Sequence, residues 1–148
     1  MADVSDSRIP EAYADVRNDN TDTNWALFAY SDDTSNTIVV ADSGSGGLEE
    51  FKAALAKVDA GYGFLRFTVG NDELSKRAKF VFVSYTGPSC RVLRKARVSI
   101  HQADLKTHIK DFSIQIGIDD VHDLKESDIL TQLKKAMGAN YDRQASGY

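Results

Sequence analysis

Two short segments constrain this chain more than any others: Tyr62–Val69 (YGFLRFTV) and Lys79–Tyr85 (KFVFVSY). Both are dense in aromatic and β-branched residues, which suit a pleated surface, so both read as strands. The second is apolar on both faces, the pattern of a central strand covered on either side. Such a strand demands a sheet around it and helical layers above and below. GNDELSKR joins the two segments, and a hairpin follows.

The remaining elements arrange themselves around that hairpin. Ser7 can cap a first helix, with Pro10 tolerated in its opening turn and Ile9, Tyr13 and Val16 at helical spacing. Thr23–Tyr30 and Thr37–Ala41 read as strands, joined by the turn formers SDDTSN. Leu48, Phe51, Leu55 and Val58 form one stripe of a second helix, preceded by the flexible turn Gly44-Ser45-Gly46-Gly47. Arg91–Lys110 is helical in composition, but its phase changes: Leu93, Ala96 and Ile100 keep one step, and Leu105, Ile109 and Phe112 another. With β-branched residues and a serine at the join, Val98-Ser99-Ile100, a kink or two short helices are expected there. Ser113–Ile118 reads as a last strand. Asp123 and Glu126 resemble a capping box opening a final helix with Ile129, Leu130, Leu133 and Met137, stopped by Gly138. The order predicts one α/β domain over 1–142, a central mixed five-stranded sheet sandwiched by helices, and a flexible C-terminal tail over 143–148.

Composition excludes several classes. Hydrophobic residues at 42% over 148 positions are enough for one core, which sets the chain apart from disordered proteins. No apolar run approaches the roughly 20 residues of a membrane span, so no transmembrane segment is expected. A single cysteine, Cys90, forbids an internal disulfide and points to a reducing, cytoplasmic setting.

Candidate chemistry is sparse. His101, Asp104 and His108 fall at i, i+3 and i+7, where one helix face can present three metal ligands. Ordinary helix contacts explain the same spacing more simply. The acidic stretch Asp119–Asp123 lacks the glycine and distant glutamate of a calcium loop. Cys90 before a helix invites the idea of a thiol nucleophile, but no nucleophile motif surrounds it. The glycine turn lacks the lysine of a phosphate loop. No catalytic residue, metal or cofactor is expected, and the chain does not read as an enzyme.

Charge is more informative. The net charge of −4 hides a strong asymmetry: residues 1–60 hold four basic against twelve acidic side chains, a net of −8. Residues 76–110 hold nine basic groups (Lys76, Arg77, Lys79, Arg91, Arg94, Lys95, Arg97, Lys106 and Lys110) and one acid, Asp104. Such a field draws an acidic partner to one part of the surface. Nucleic acid is not expected, because the chain is acidic overall and carries no RNP-type or GXXG motif.

The segments DTNWALFAY, YGFLRFTVGNDELSKRAKFVFVSY and LKKAMGANYD resemble the coactosin branch of the ADF/cofilin-homology family, in unbroken order from about Ala12 to Asp142. The resemblance implies the ADF-homology fold. It also implies a monomeric, non-catalytic protein of the cytoplasmic actin cytoskeleton that binds along filamentous actin without severing it and opposes capping. It carries over Lys79 of SKRAKF and Lys135 of LKKAMGANYD as the main filament contacts. Lys76, Arg77 and Lys134 lie beside them, and Lys106 stands at a basic position on the actin-facing helix. Gln102, Asp104, Thr107 and His108 interrupt the lysine-rich run with which cofilins grip monomeric actin, so the alternative is a cofilin-like factor that also binds monomers and severs or depolymerises filaments. Where cofilins place a regulatory serine this chain has Asp3, with Ser5 nearby.

Overall fold

The computed structural model describes residues 1–70 and 77–146, with the side chains of the last helix described as far as Ala136. The elements follow the expected order: α1 (Arg8–Arg17), β1 (Trp25–Tyr30), β2 (Ile38–Gly44), α2 (Gly47–Leu55), β3 (Ala60–Val69), β4 (Arg77–Thr86), α3 (Val92–Leu105), β5 (Ile114–Ile118) and α4 (Glu126–Ser146). A single 3₁₀ turn, Val121–Asp123, separates β5 from α4. The sheet runs β2-β1-β3-β4-β5, antiparallel except for the parallel pair β4–β5.

Alternation along the strands builds two cores. Leu27, Leu65, Val81 and Val83 face α2 and α4, burying Phe51, Leu55, Ile129 and Leu133. Phe28, Tyr62, Phe64 and Phe82 face the other way, against Ile9 and Val16 of α1 and Val98 and Leu105 of α3. Close approach of α2 to the sheet needs Gly63, where a Cβ would collide with Phe51 Cζ. Gly47 opens α2 with φ +76°, a conformation open to glycine at no steric cost.

The β3–β4 hairpin is longer than its neighbours. The pairing of β1 with β3 ends at Trp25↔Leu65, and that of β5 with β4 begins at Val81↔Ile114. The Arg66 amide still donates to the Asn24 carbonyl and the Phe80 carbonyl still accepts the Ser113 amide, but Phe67–Val69 and Arg77–Lys79 pair with each other alone among the described residues, as a two-stranded ribbon reaching past the sheet.

Several helix ends differ from the sequence reading. Ser7 is already helical and makes no cap bond; the Asp6 carboxylate accepts the Arg8 amide at 3.0 Å instead. α3 is one continuous helix, without the expected break at Val98–Ile100. It ends at Leu105, and a turn then carries Ile109 back into the core, which produces the second phase. Its inward face is Val98, His101 and Leu105, while Leu93, Ala96 and Ile100 face solvent. Asp123 belongs to the 3₁₀ turn, and Asp120 supplies the cap there by accepting the His122 amide at 2.9 Å. α4 continues through Gly138 to Ser146, so glycine does not stop it.

His101 is 2% exposed, and its Nδ1 lies 2.8 Å from the Tyr30 hydroxyl. That hydroxyl lies 3.4 Å from the Tyr62 hydroxyl, which donates to the Val98 carbonyl at 2.6 Å. Burial pushes the imidazole below its usual range, with the N-terminal amine, Arg94 and Arg97 acting in the same direction against Asp104. The unfolded chain thus binds this proton more readily than the native one. Stability is full above the unfolded histidine value of about 6.5 and falls as pH drops toward the lower native value. Thermal melts from neutral pH to about 5 should show a falling midpoint, and the slope should flatten in His101→Gln. An unchanged slope in that variant would exclude His101 as its source.

Candidate functional site

Arg77 and Lys79 sit on the β4 side of the projecting ribbon. By alternation with Val81 and Val83, both belong to the face covered by α2 and α4. Arg77 is exposed, whereas Lys79 is half-buried rather than fully open, on the register position opposite Phe67. A lysine there keeps its stem along apolar surface and its ammonium in water. β5 runs parallel to β4, and after the short turn at 121–123 α4 returns across the same face. Its C-terminal half therefore heads toward the end of the sheet that carries the ribbon. Ile129 and Leu133 hold α4 down, leaving Lys134 and Lys135 exposed on its flank and outer side. The fold thus brings Arg77, Lys79, Lys134 and Lys135 to one end of one face. Lys76 lies outside the described residues.

Lys106 is elsewhere. It follows α3, on the opposite side of the sheet. Its Nζ donates to Gln115 Oε1 at 2.5 Å and lies 5.5 Å from the ring centres of both Phe82 and Phe112. Two other members of the basic run are also engaged within the chain. Arg94 donates to the carbonyls of Ser35, Asp32 and Asp33 at 2.8, 3.1 and 2.8 Å, with its guanidinium 3.7 Å above the Tyr30 ring. Arg97 donates to Asn36 Oδ1 at 3.3 Å. What looks like one basic patch in sequence is divided between two faces and partly used to hold the β1–β2 turn.

Sequence reasoning missed a second surface. On the outer side of α3, Val92, Leu93 and Ile100 are 84%, 62% and 64% exposed. Its trace in the sequence is the change of phase at Val98–Ile100, which predicts a kink there instead.

The alternative chemistries do not assemble. Cys90 is buried, its thiol donates to the Arg91 carbonyl at 3.6 Å, and burial pushes its pKa up, away from a reactive thiolate. His101 points inward to Tyr30, the Asp104 carboxylate accepts the Ala2 amide at 2.9 Å, and His108 lies beyond the end of α3. No cluster suited to a metal occurs among the described residues.

The family model of the cofilin/tropomyosin-type actin-binding proteins matches residues 1–134. Coactosin of Dictyostelium discoideum is 40% identical over 147 residues, 99% of each chain. The chain is a member of the coactosin branch of the cofilin/ADF family. The crystal structure of coactosin from Entamoeba histolytica superposes with a TM-score of 0.82 at 31% identity, covering 93% of this chain and 97% of that one. Mouse coactosin, described as an actin filament binding protein, superposes with a TM-score of 0.72 at 31% identity, covering 97% of both. Membership of the coactosins confirms the ADF-homology fold read from the sequence.

Within this coactosin fold, the Arg94 fork ties α3 to the turn after β1. A lysine offers a point charge in place of the planar fork. Arg94→Lys should therefore lower stability by about 1–3 kcal/mol in urea denaturation, as expected for loss of charge-assisted bonds and a ring contact. A midpoint equal to the parent's would show the fork to be dispensable.

Proposed function

We propose that this protein binds along actin filaments through the basic end formed by Arg77, Lys79, Lys134 and Lys135, without severing them and with the effect of opposing capping. Lys76, adjacent in sequence, belongs to the same proposed contact. The observation that carries this reading is the convergence of the ribbon and α4 at one end of the α2/α4 face. The description of mouse coactosin as an actin filament binding protein supports it, as does the family's actin-binding character. Its place of action is then the cytoplasmic actin cytoskeleton. Lysines on an exposed end meet acidic groups by long-range, salt-screened attraction, which favours fast and reversible attachment.

Lys79→Ala and Lys135→Ala should each weaken co-sedimentation with filaments roughly two- to five-fold, the range of an exposed ion pair. Pelleting of the parent should fade as salt rises. Melting curves serve as the control for Lys79, whose stem is half-buried. Salt-independent pelleting, unaffected by either substitution, would remove this surface from the filament contact.

The outward apolar face of α3 favours a second reading, in which Leu93, Ile100 and the neighbouring Lys106 engage monomeric actin in the cofilin manner. An amphipathic helix presents such a face to an apolar groove on a partner. Filaments watched by microscopy distinguish the two. The primary reading expects filament lengths to be unchanged by the protein. Fragmentation that disappears in Leu93→Ser/Ile100→Ser would establish the second instead.

A further inference from the structure

The two edges of the sheet are treated very differently. Along β2, the outward amide of Ile38 donates to the Asp3 carbonyl at 2.9 Å and that of Val40 to the Asp6 carboxylate at 3.2 Å. The N-terminal segment therefore closes that edge, and the exposed Asp42 adds a charge to it. β5 has no such protection. Its five residues, IQIGI, carry no charge and no proline. The Ser113 amide donates inward to the Phe80 carbonyl at 2.8 Å. By alternation, Ile114, Ile116 and Ile118 direct their backbone groups to the free side. Among the described residues, no partner takes those three amides.

We propose that, in place of the monomer implied by the sequence resemblance, β5 is a self-association edge, pairing antiparallel with β5 of a second copy about a two-fold axis at Ile116. The strand is complementary to itself in that register. Ile114 meets Ile118 of the other copy, Ile116 meets its own equivalent, and Gln115 meets Gly117. The three isoleucine pairs each exchange both backbone hydrogen bonds. Their side chains, half-buried in the single copy, form a continuous apolar ladder on the α4 face. On the other face, Gly117 offers no side chain to obstruct Gln115. A polar groove of about 410 Å³, lined by Ser84, Ser99, Gln102 and Gly117 among others, leaves room beside it.

Charge selects a second copy over another occupant. β5 is followed by the exposed Asp119 and Asp120 and preceded by Lys106 and the exposed Lys110, with the intervening Asp111 held by Arg17 at 2.8 Å. Antiparallel pairing brings the acidic end of each strand to the basic end of its mate, at both ends of the interface. An isologous contact of this type closes after two copies.

Sedimentation velocity over a rising concentration series, with amide hydrogen exchange on the same samples, tests the proposal. The expected result is a shift from monomer toward dimer mass as concentration rises, with slower exchange at Ile114, Ile116 and Ile118. Ile116→Lys, which sets two like charges against each other on the axis, should remain monomeric at every concentration. Gln115→Lys provides a second variant at an exposed position outside the core; it gives up the side-chain bonds to Lys106 and Gln102, sets a second positive charge beside Lys106 at the edge, and should weaken the dimer at least several-fold. Monomer mass throughout, with concentration-independent exchange, overturns the proposal. So does a dimer that both variants leave intact. Protection of these amides by an added protein, without any dependence on this chain's own concentration, would assign the edge to a foreign strand and also overturn it.

Discussion

The pairing of β3 with β4 is the constraint from which the rest of the molecule follows. The two strands match over ten positions, from Ala60↔Thr86 to Val69↔Arg77. Both faces of this pair are covered, so a slip of one residue would carry one strand's whole set of side chains into the wrong core. Phe64, now opposite Phe82, would then stand beside Val81 or Val83 on the α2/α4 side, where Gly63 now leaves space for Phe51. β1 and β5 attach to the outer sides of the pair, and every helix docks relative to it. The pair also overruns both neighbours, which is why the β4 cations stand on a ribbon beyond the body of the sheet.

The sheet was legible because its strands are encoded by local pattern. Dense aromatic and β-branched runs mark the central pair, and the helices between carry recognisable apolar stripes. Helix ends were read less well, because neighbours that are distant in sequence decide them. Ser7 was passed over since Asp6 already bonds to the Arg8 amide while reaching the edge of β2. α3 ended at Leu105 because Ile109 had to enter the core beneath it. The stripe of Leu93, Ala96 and Ile100 looked like a buried face, and only the docked helix reveals that Val98, His101 and Leu105 point inward.

The candidate site was half legible. The run of basic residues in 76–110 is plain in the sequence, but its division is not. Arg94 and Arg97 turn back to the β1–β2 turn, and Lys106 lies over two phenylalanine rings on the face opposite Lys79. Conversely, Lys134 and Lys135 are far from that run in sequence. They approach its N-terminal end only because β5 is parallel to β4 and sends α4 back across the sheet.

Four of the arginines and the two α4 lysines are put to different uses. Arg8, Arg17, Arg66 and Arg94 all make intramolecular contacts, to Asp6, Asp111, Asp19 and the carbonyls after β1. Their planar forks suit fixed geometry, and here they close loops and helix ends. Lys134 and Lys135 on the exposed side of α4 are compact, strongly hydrated charges, better suited to contacts that form and dissolve with a partner. The acidic first sixty residues strengthen that arrangement. In the proposed contact, an acidic filament would repel that half of the chain and attract the end bearing Arg77, Lys79, Lys134 and Lys135. On that proposal orientation is imposed before contact, and a protein of net charge −4 would approach an acidic polymer with its basic end leading.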